Sequence, residues 1–356
     1  DPANQVQAYL NLILEDGKVV AVTEEEPEAD RVIDATGKVV APGFIDIHMH
    51  EDPVKDGKIE FCIFDAMLRM GVTTAVGGNC GINVYDPVKY LDMVEKDGAP
   101  VNVMLFAGHQ YFREAAGALD KYAPVTKEQQ EHMKKGLEKA LEAGCVGISY
   151  GLRYVPGTGR DEFLDTASCC EKEHRMISAH VRDDEDRVFG AVAEVAEAGK
   201  LYNIPVQVSH IGSMAGFGQM KQLLRQVDGY RMNGIDVACD CYPYFAFSTR
   251  IGATTYDDGW LERYHCDYSA CQLTEGKYKG QRCTPETFAE MRRDFPECLT
   301  VCYVMDENDI RMAFADPGVM VGSDGLIDQW PRPSKSSRYF PKIPFRVCKK
   351  RGHFSV

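Results

Sequence analysis

The chain has 356 residues, 44% hydrophobic and 26% charged, an ordinary globular composition with core enough for one barrel-sized domain plus a smaller one. A net charge of -14 argues against a nucleic-acid footprint or a polybasic membrane anchor, and no apolar run is long enough to span a bilayer. With no charged-then-apolar leader pattern, and with 13 cysteines spread through apparent core strands and loops, the sequence reads as a cytoplasmic protein with mostly free thiols.

The predicted elements begin as a meander of short strands: Val6 to Leu14, a turn at Glu15-Asp16-Gly17, Val19 to Val22, Arg31 to Ile33, and Val39-Val40 after a Thr36-Gly37 turn. Such strands are too few to fold alone, so residues 1–41 are expected to form an incomplete β-sandwich packed on something larger. From residue 43 strands alternate with helices, the pattern of a parallel sheet. The strand candidates are Phe44 to Ile47, Thr73 to Gly77, Val101 to Phe106, Gly147 to Tyr150, Met176 to His180, Val206 to His210, Asp236 to Asp240 and Val319 to Gly322. Between them lie helix candidates at Ile63 to Met70, Pro87 to Lys96, after Thr126, Glu162 to Glu173, Asp186 to Leu201 and Met220 to Gly229. Thr126 with Gln129 is a capping box, followed at helical spacing by Met133, Leu137, Ala140 and Leu141. Eight strands with crossovers, and no glycine-rich dinucleotide fingerprint after an early strand, predict an α/β fold, a (β/α)8 TIM-type barrel over residues 42–325. An insertion over about residues 242–301, with Thr284 as N-cap before Pro285, is expected to cover the site or contact a partner.

Barrel active sites lie at the C-terminal ends of the strands, and here those ends carry metal-ligand side chains. The first strand ends in His48 and His50, two residues apart and therefore pointing the same way. The second opens into Gly-Gly-Asn-Cys80-Gly, the fifth ends in His180, the sixth in His210, and the eighth runs into Ser323-Asp324-Gly325. Chance would scatter such residues among helices and loops, so a metal site is the economical explanation. Cys80 as thiolate with neutral His180 and His210 makes a three-ligand Zn2+ site with a fourth position open. His48, His50 and Asp324 make a second, harder set that could hold another ion weakly or act without one.

Pro42-Gly43-Phe44-Ile45-Asp46-Ile47-His48-Met49-His50, joined to the Ser323-Asp324 strand end, resembles the first-strand signature of the amidohydrolase superfamily. Within it, Gly71-Val72-Thr73-Thr74, Gly78-Asn79-Cys80-Gly81, Gly108-His109, Gly151-Leu152-Arg153-Tyr154-Val155-Pro156-Gly157, His180-Val181-Arg182 and Val208-Ser209-His210 resemble the N-acyl-D-amino-acid deacylase (D-aminoacylase) family. The resemblance runs from about Leu14 to Gly325. It implies zinc-dependent hydrolysis of a small-molecule N-acyl-D-amino acid to a carboxylate and a D-amino acid. Cys80, His180 and His210 then resemble the tight zinc ligands, His48 and His50 the weaker second site, Asp324 the general base and acid, and Tyr154 a residue that holds substrate. Arg153 and His109 are further substrate-binding candidates. Two-metal relatives on this fold bridge their ions with a carboxylated lysine from strand four, but Gly147-Ile148-Ser149-Tyr150 has none, leaving Cys80 as the candidate bridge.

Two departures from the family pattern stand out. After His210 the chain reads Ile-Gly-Ser-Met-Ala-Gly where relatives carry a second histidine and a lysine, and after Gly325 the expected His-Pro-Arg stretch has only a partial echo in Trp330-Pro331-Arg332. Arg332 is the candidate for the substrate carboxylate, and residues 326–356 read as an atypical tail without the closing helix and returning strands. Two alternative readings follow: a cyclic-amide hydrolase of the same superfamily, of the dihydroorotase, hydantoinase or dihydropyrimidinase kind, and an inactive relative that binds metal without turnover.

Overall fold

The computed structural model describes residues 8–326. It opens with an antiparallel hairpin, β1 (Asn11–Glu15) and β2 (Lys18–Thr23), turning at Asp16-Gly17 with both residues at positive φ. The expected strands at residues 31–33 and 39–40 do not form. Val32, Ile33, Val39 and Val40 are exposed, and none of them belongs to a sheet among the described residues. The tail from residue 327 onward, with Arg332, and the start of the first expected strand at Val6 lie outside the described residues.

The barrel strands follow in the expected order. They are β3 (Phe44–Asp46), then, beyond a small hairpin of β4 (Val54–Lys55) and β5 (Lys58–Ile59), β6 (Val72–Gly77), β7 (Asn102–Leu105) continued by β8 (Ala107–Gly108), β9 (Gly147–Gly151), β10 (Met176–His180), β11 (Val206–Val208) and β12 (Val237–Cys241). The insertion contributes β13 (Phe247–Arg250), β14 (Cys271–Leu273) and β15 (Leu299–Cys302), and the last barrel strand is β16 (Val319–Val321). All neighbouring barrel strands pair in parallel. The third strand pairs backward to β6 through β7 and forward to β9 through β8. The ring closes beyond β16, where Met49 and Gly325 form a parallel bridge and the amide of His50 donates to Gly325 O at 2.9 Å. β9 and β11 are buried at every position, as strands covered on both faces must be.

Helices cover the outside of the barrel. Those expected are present as α1 (Ile63–Arg69), α2 (Pro87–Asp97), α4 (Lys127–Glu142), α5 (Arg160–Ala167), α6 (Val188–Tyr202) and α8 (Met220–Met232), and the sequence reading missed α3 (His109–Ala115) and α7 (Ile211–Ala215). The Thr126 box forms as read, and Met133, Leu137, Ala140 and Leu141 are its buried face. Within the insertion, α9 (Trp260–Arg263) and α10 (Pro285–Asp294), the latter capped by Thr284, accompany an antiparallel sheet of order β13-β15-β14. A further helix that the sequence reading also missed, α11 (Glu307–Ala315), leads into β16. No helix among the described residues is long and apolar enough to cross a membrane.

Candidate active site

Three left-handed backbone positions present the site. Cys80, His210 and Asp324 have φ of 55°, 32° and 52°, a region L-residues rarely occupy and one that concentrates at functional sites. Cys80 stands in a loop built around Glu51, whose buried carboxylate accepts from Gly78 N at 2.7 Å, Asn83 Nδ2 at 3.2 Å and Val84 N at 3.0 Å. Ser149 on β9 receives Gly81 N at 3.0 Å and donates to Gly78 O, locking the loop over the barrel mouth.

The strand ends bring six donor side chains together. The ligand atoms of His48, His50, Cys80 and Asp324 lie within 4.8 Å of one another, and those of Cys80, His180 and His210 do likewise, so the two groups meet at one sulfur. Cys80 Sγ is 3.4 Å from His48 Nε2 and 3.5 Å from His210 Nε2, and Asp324 Oδ1 is 3.4 Å from Nε2 of both His48 and His50. All are buried except Asp324, which is 24% exposed at the cleft.

The supporting groups fix which imidazole nitrogen faces inward. His48 Nδ1 contacts Asp240 at 3.2 Å, and His210 Nδ1 contacts Ser213 Oγ at 2.8 Å, so each presents Nε2 to the centre. Asp240 also accepts from His210 N at 2.8 Å and from Gln207 Nε2 at 2.5 Å. The sequence reading missed both supports. The available signal for Asp240 was a lone carboxylate inside the otherwise apolar run Val237-Ala238-Cys239-Asp240-Cys241.

Electrostatics make the centre a cation trap. Burial opposes ionisation of Cys80, but His48 and His210 draw its thiol well below the usual range. Burial likewise opposes charge on Asp324, and its contacts with His48 and His50 hold the carboxyl well below the usual carboxylate value. For His50 burial disfavours the imidazolium, yet Asp324 and Cys80 lift its pKa to about 10. His180 goes the other way, to about 4, through burial and the neighbouring His210. A thiolate and a carboxylate thus sit among four imidazoles, and the buried Nδ1 of His180 has no hydrogen-bond partner among the described residues. A soft thiolate with two imidazoles fits zinc, and the adjoining imidazole and carboxylate set suits a second divalent ion.

A cleft opens beside this centre, lined by Tyr154, His180, Asp184, His210, Ser213, Met214, Tyr242, Phe247, Ser248, Thr249, Thr255, Tyr264 and Asp324. Tyr154 stands in it, its ring 4.5 Å from that of His180, and burial pushes its hydroxyl pKa up. The insertion supplies the Phe247 to Tyr264 side of the wall. Two further candidates are placed elsewhere. His109 opens α3 behind the barrel wall, where its Nε2 and Arg113 Nε share Glu162 Oε1 at 3.0 and 3.1 Å, because a buried guanidinium requires that carboxylate. Arg153 pairs with Asp183 at 3.2 Å, and its carbonyl accepts from Thr254 at 2.6 Å, so it ties the loop after β10 to the insertion instead of lining the cleft.

A parallel eight-strand barrel with ligand side chains at five of its strand ends presents a candidate metal centre at the barrel mouth. The amidohydrolase family model matches residues 31–151. The chain is 32% identical to the N-acyl-D-glutamate deacylase of Alcaligenes xylosoxydans xylosoxydans, over 84% of this chain and 66% of that protein, and thus spans just under two thirds of its length. It is 27% identical to the D-aminoacylase of the same organism, over 91% of this chain and 72% of that one. Among solved structures, the N-acyl-D-glutamate deacylase of Bordetella bronchiseptica, complexed with zinc and a phosphonate mimic of the tetrahedral intermediate, superposes with a TM-score of 0.76 at 29% identity, covering 88% of this chain and 72% of that one. The chain is thus similar to the amidohydrolase family over residues 31–151 and, over most of its length, to N-acyl-D-amino-acid deacylases.

Proposed function

We propose that the protein is a zinc-dependent hydrolase that cleaves the amide bond of an N-acyl-D-amino acid to a D-amino acid and a carboxylate. The observation that carries this reading is the pair of ligand groups sharing Cys80 beside an open cleft. Zinc held by Cys80, His180 and His210 would polarise the amide carbonyl and make water more acidic, and His48 and His50 would complete a weaker second site with Asp324. Asp324, ionised and partly exposed to the cleft, takes a proton from the attacking water and returns it to the leaving nitrogen, so one water is consumed for each amide cleaved. The Tyr154 hydroxyl stays protonated and donates to the carbonyl oxygen as negative charge develops there. His48 and His50 keep Asp324 in place and ionised, and Asp240 keeps His48 turned inward.

The test is zinc content by elemental analysis together with rates on N-acetyl-D-amino acids, their L-enantiomers, hydantoins and dihydropyrimidines. The expected result is zinc in the purified protein and turnover of D-substrates alone. Turnover of the cyclic amides in their place would transfer the protein to the cyclic-amide branch, and zinc without turnover would leave a binding protein.

A further inference from the structure

The cleft has one anionic oxygen that nothing in the proposed chemistry uses. Asp184 lies four residues beyond His180 and is 3% exposed. Its Oδ2 accepts from Tyr264 OH at 2.5 Å, whereas Oδ1 has no hydrogen bond among the described residues. Arg263 Nε stands 3.6 Å from Oδ1 and is itself without a hydrogen bond, because that guanidinium is drawn to Thr255 O at 2.8 Å and lies over the Tyr264 ring. Arg153, the other nearby cation, is paired with Asp183. Neither arginine lines the cleft, and apart from the histidines of the metal centre the described lining carries no basic side chain.

A buried carboxylate oxygen left with an empty acceptor position favours a ligand that supplies a donor and disfavours one that brings a second carboxylate into the same low-dielectric space. We propose that the Asp184 end of the cleft selects N-acyl-D-amino acids whose side chain ends in a hydrogen-bond donor, an amide or an ammonium, over those that end in a carboxylate. The inference rests on the deacylase reading above and names its substrate class. A glutamate side chain placed at this end would meet the Asp184 carboxylate, since Arg263, 3.6 Å behind it, is not part of the described lining.

The experiment measures kcat/KM for N-acetyl-D-lysine, N-acetyl-D-glutamine, N-acetyl-D-methionine and N-acetyl-D-glutamate with the wild-type holoenzyme and with Asp184→Asn. The wild type is expected to favour lysine or glutamine over glutamate by at least ~10-fold, mainly through KM, a modest share of what a site built around a hydrogen bond can achieve. Asp184→Asn keeps the shape and one acceptor but loses the charge, and is expected to narrow the lysine-to-glutamate ratio by at least ~10-fold. Glutamate as the preferred substrate, equal rates on all four, or a ratio unmoved by Asp184→Asn would overturn the inference while leaving the deacylase reading in place. No turnover of any of the four would bring down both. Should the Asn variant fail to fold, the wild-type ratios decide, supported by inhibition of the wild type with free D-lysine against free D-glutamate.

Discussion

Cys80 is the residue that both ligand groups share, since among the described residues it is the one sulfur within reach of His48 and His210 together. Cys80→Ala is expected to lose both zinc and turnover, because a methyl group offers neither charge nor a lone pair; a variant that keeps a full complement of zinc and normal rates would overturn the assignment. Asp324→Asn separates binding from chemistry. Cys80, His180 and His210 do not need the Asp324 carboxylate, so zinc should remain while the rate falls by at least ~100-fold, the lower range for a general acid-base group. Near-normal turnover in that variant would move the base to another residue. Asp240 acts one step further out, through His48 Nδ1 and the His210 amide. Asp240→Asn is expected to weaken metal affinity by ~10-fold or more, read by titration with a chelator, as the loss of a carboxylate behind a ligating histidine does elsewhere. An unchanged chelator titration would show that Asp240 only fills space.

At the scale of single elements, the loop between β6 and α2 shows why the site needs glycine. Gly78 has φ of 73°, and a Cβ placed there would fall 2.3 Å from Phe106 O, whereas Gly98 at φ of 77° has nothing within 4 Å. Gly78→Ala should therefore lower both the thermal midpoint and the zinc content, and Gly98→Ala, which carries the backbone strain without the clash, should lower the midpoint less and leave zinc untouched. Equal effects of the two would mean that the loop relaxes around an added methyl group. The same scale explains what the sequence made legible. The barrel strands are short apolar runs bounded by glycine and polar residues, and five of the eight run into histidine, cysteine or aspartate, so pattern and chemistry coincide. The missed helices α3 and α7 are too short to show a helical period; α3 begins at His109, shortly after the third strand candidate, and α7 just after His210, which reads as the end of the sixth. His109 was legible as a histidine near a strand end but not as a partner of Glu162, which lies 53 positions away along the chain. Asp240 and Ser213 act through other side chains, and a contact of that kind leaves no spacing for a sequence reading to detect.

Across the whole molecule the barrel is unevenly joined. β9 and β10 are paired from Met176 with Gly147 to His180 with Gly151, but the seam that closes the ring rests on one bridge, Met49 with Gly325, supported by Asp324 N to His48 O at 2.8 Å and Ser323 N to Asp46 Oδ1 at 2.9 Å. His48, His50 and Asp324 flank that same seam, so an ion held among them would join the first and last strands by coordination where hydrogen bonds are few. Metal removal should therefore act locally before it acts globally. Stripping the protein with a chelator is expected to lower the thermal midpoint, and to speed amide exchange at His50, Ser323 and Asp324 well before that at Ile177 to Ala179 inside the paired sheet. Added zinc should reverse both changes in the wild type and neither in Cys80→Ala. Exchange that accelerates uniformly along all strands would show that the metal stabilises the barrel as one unit and that the seam has no special dependence on it.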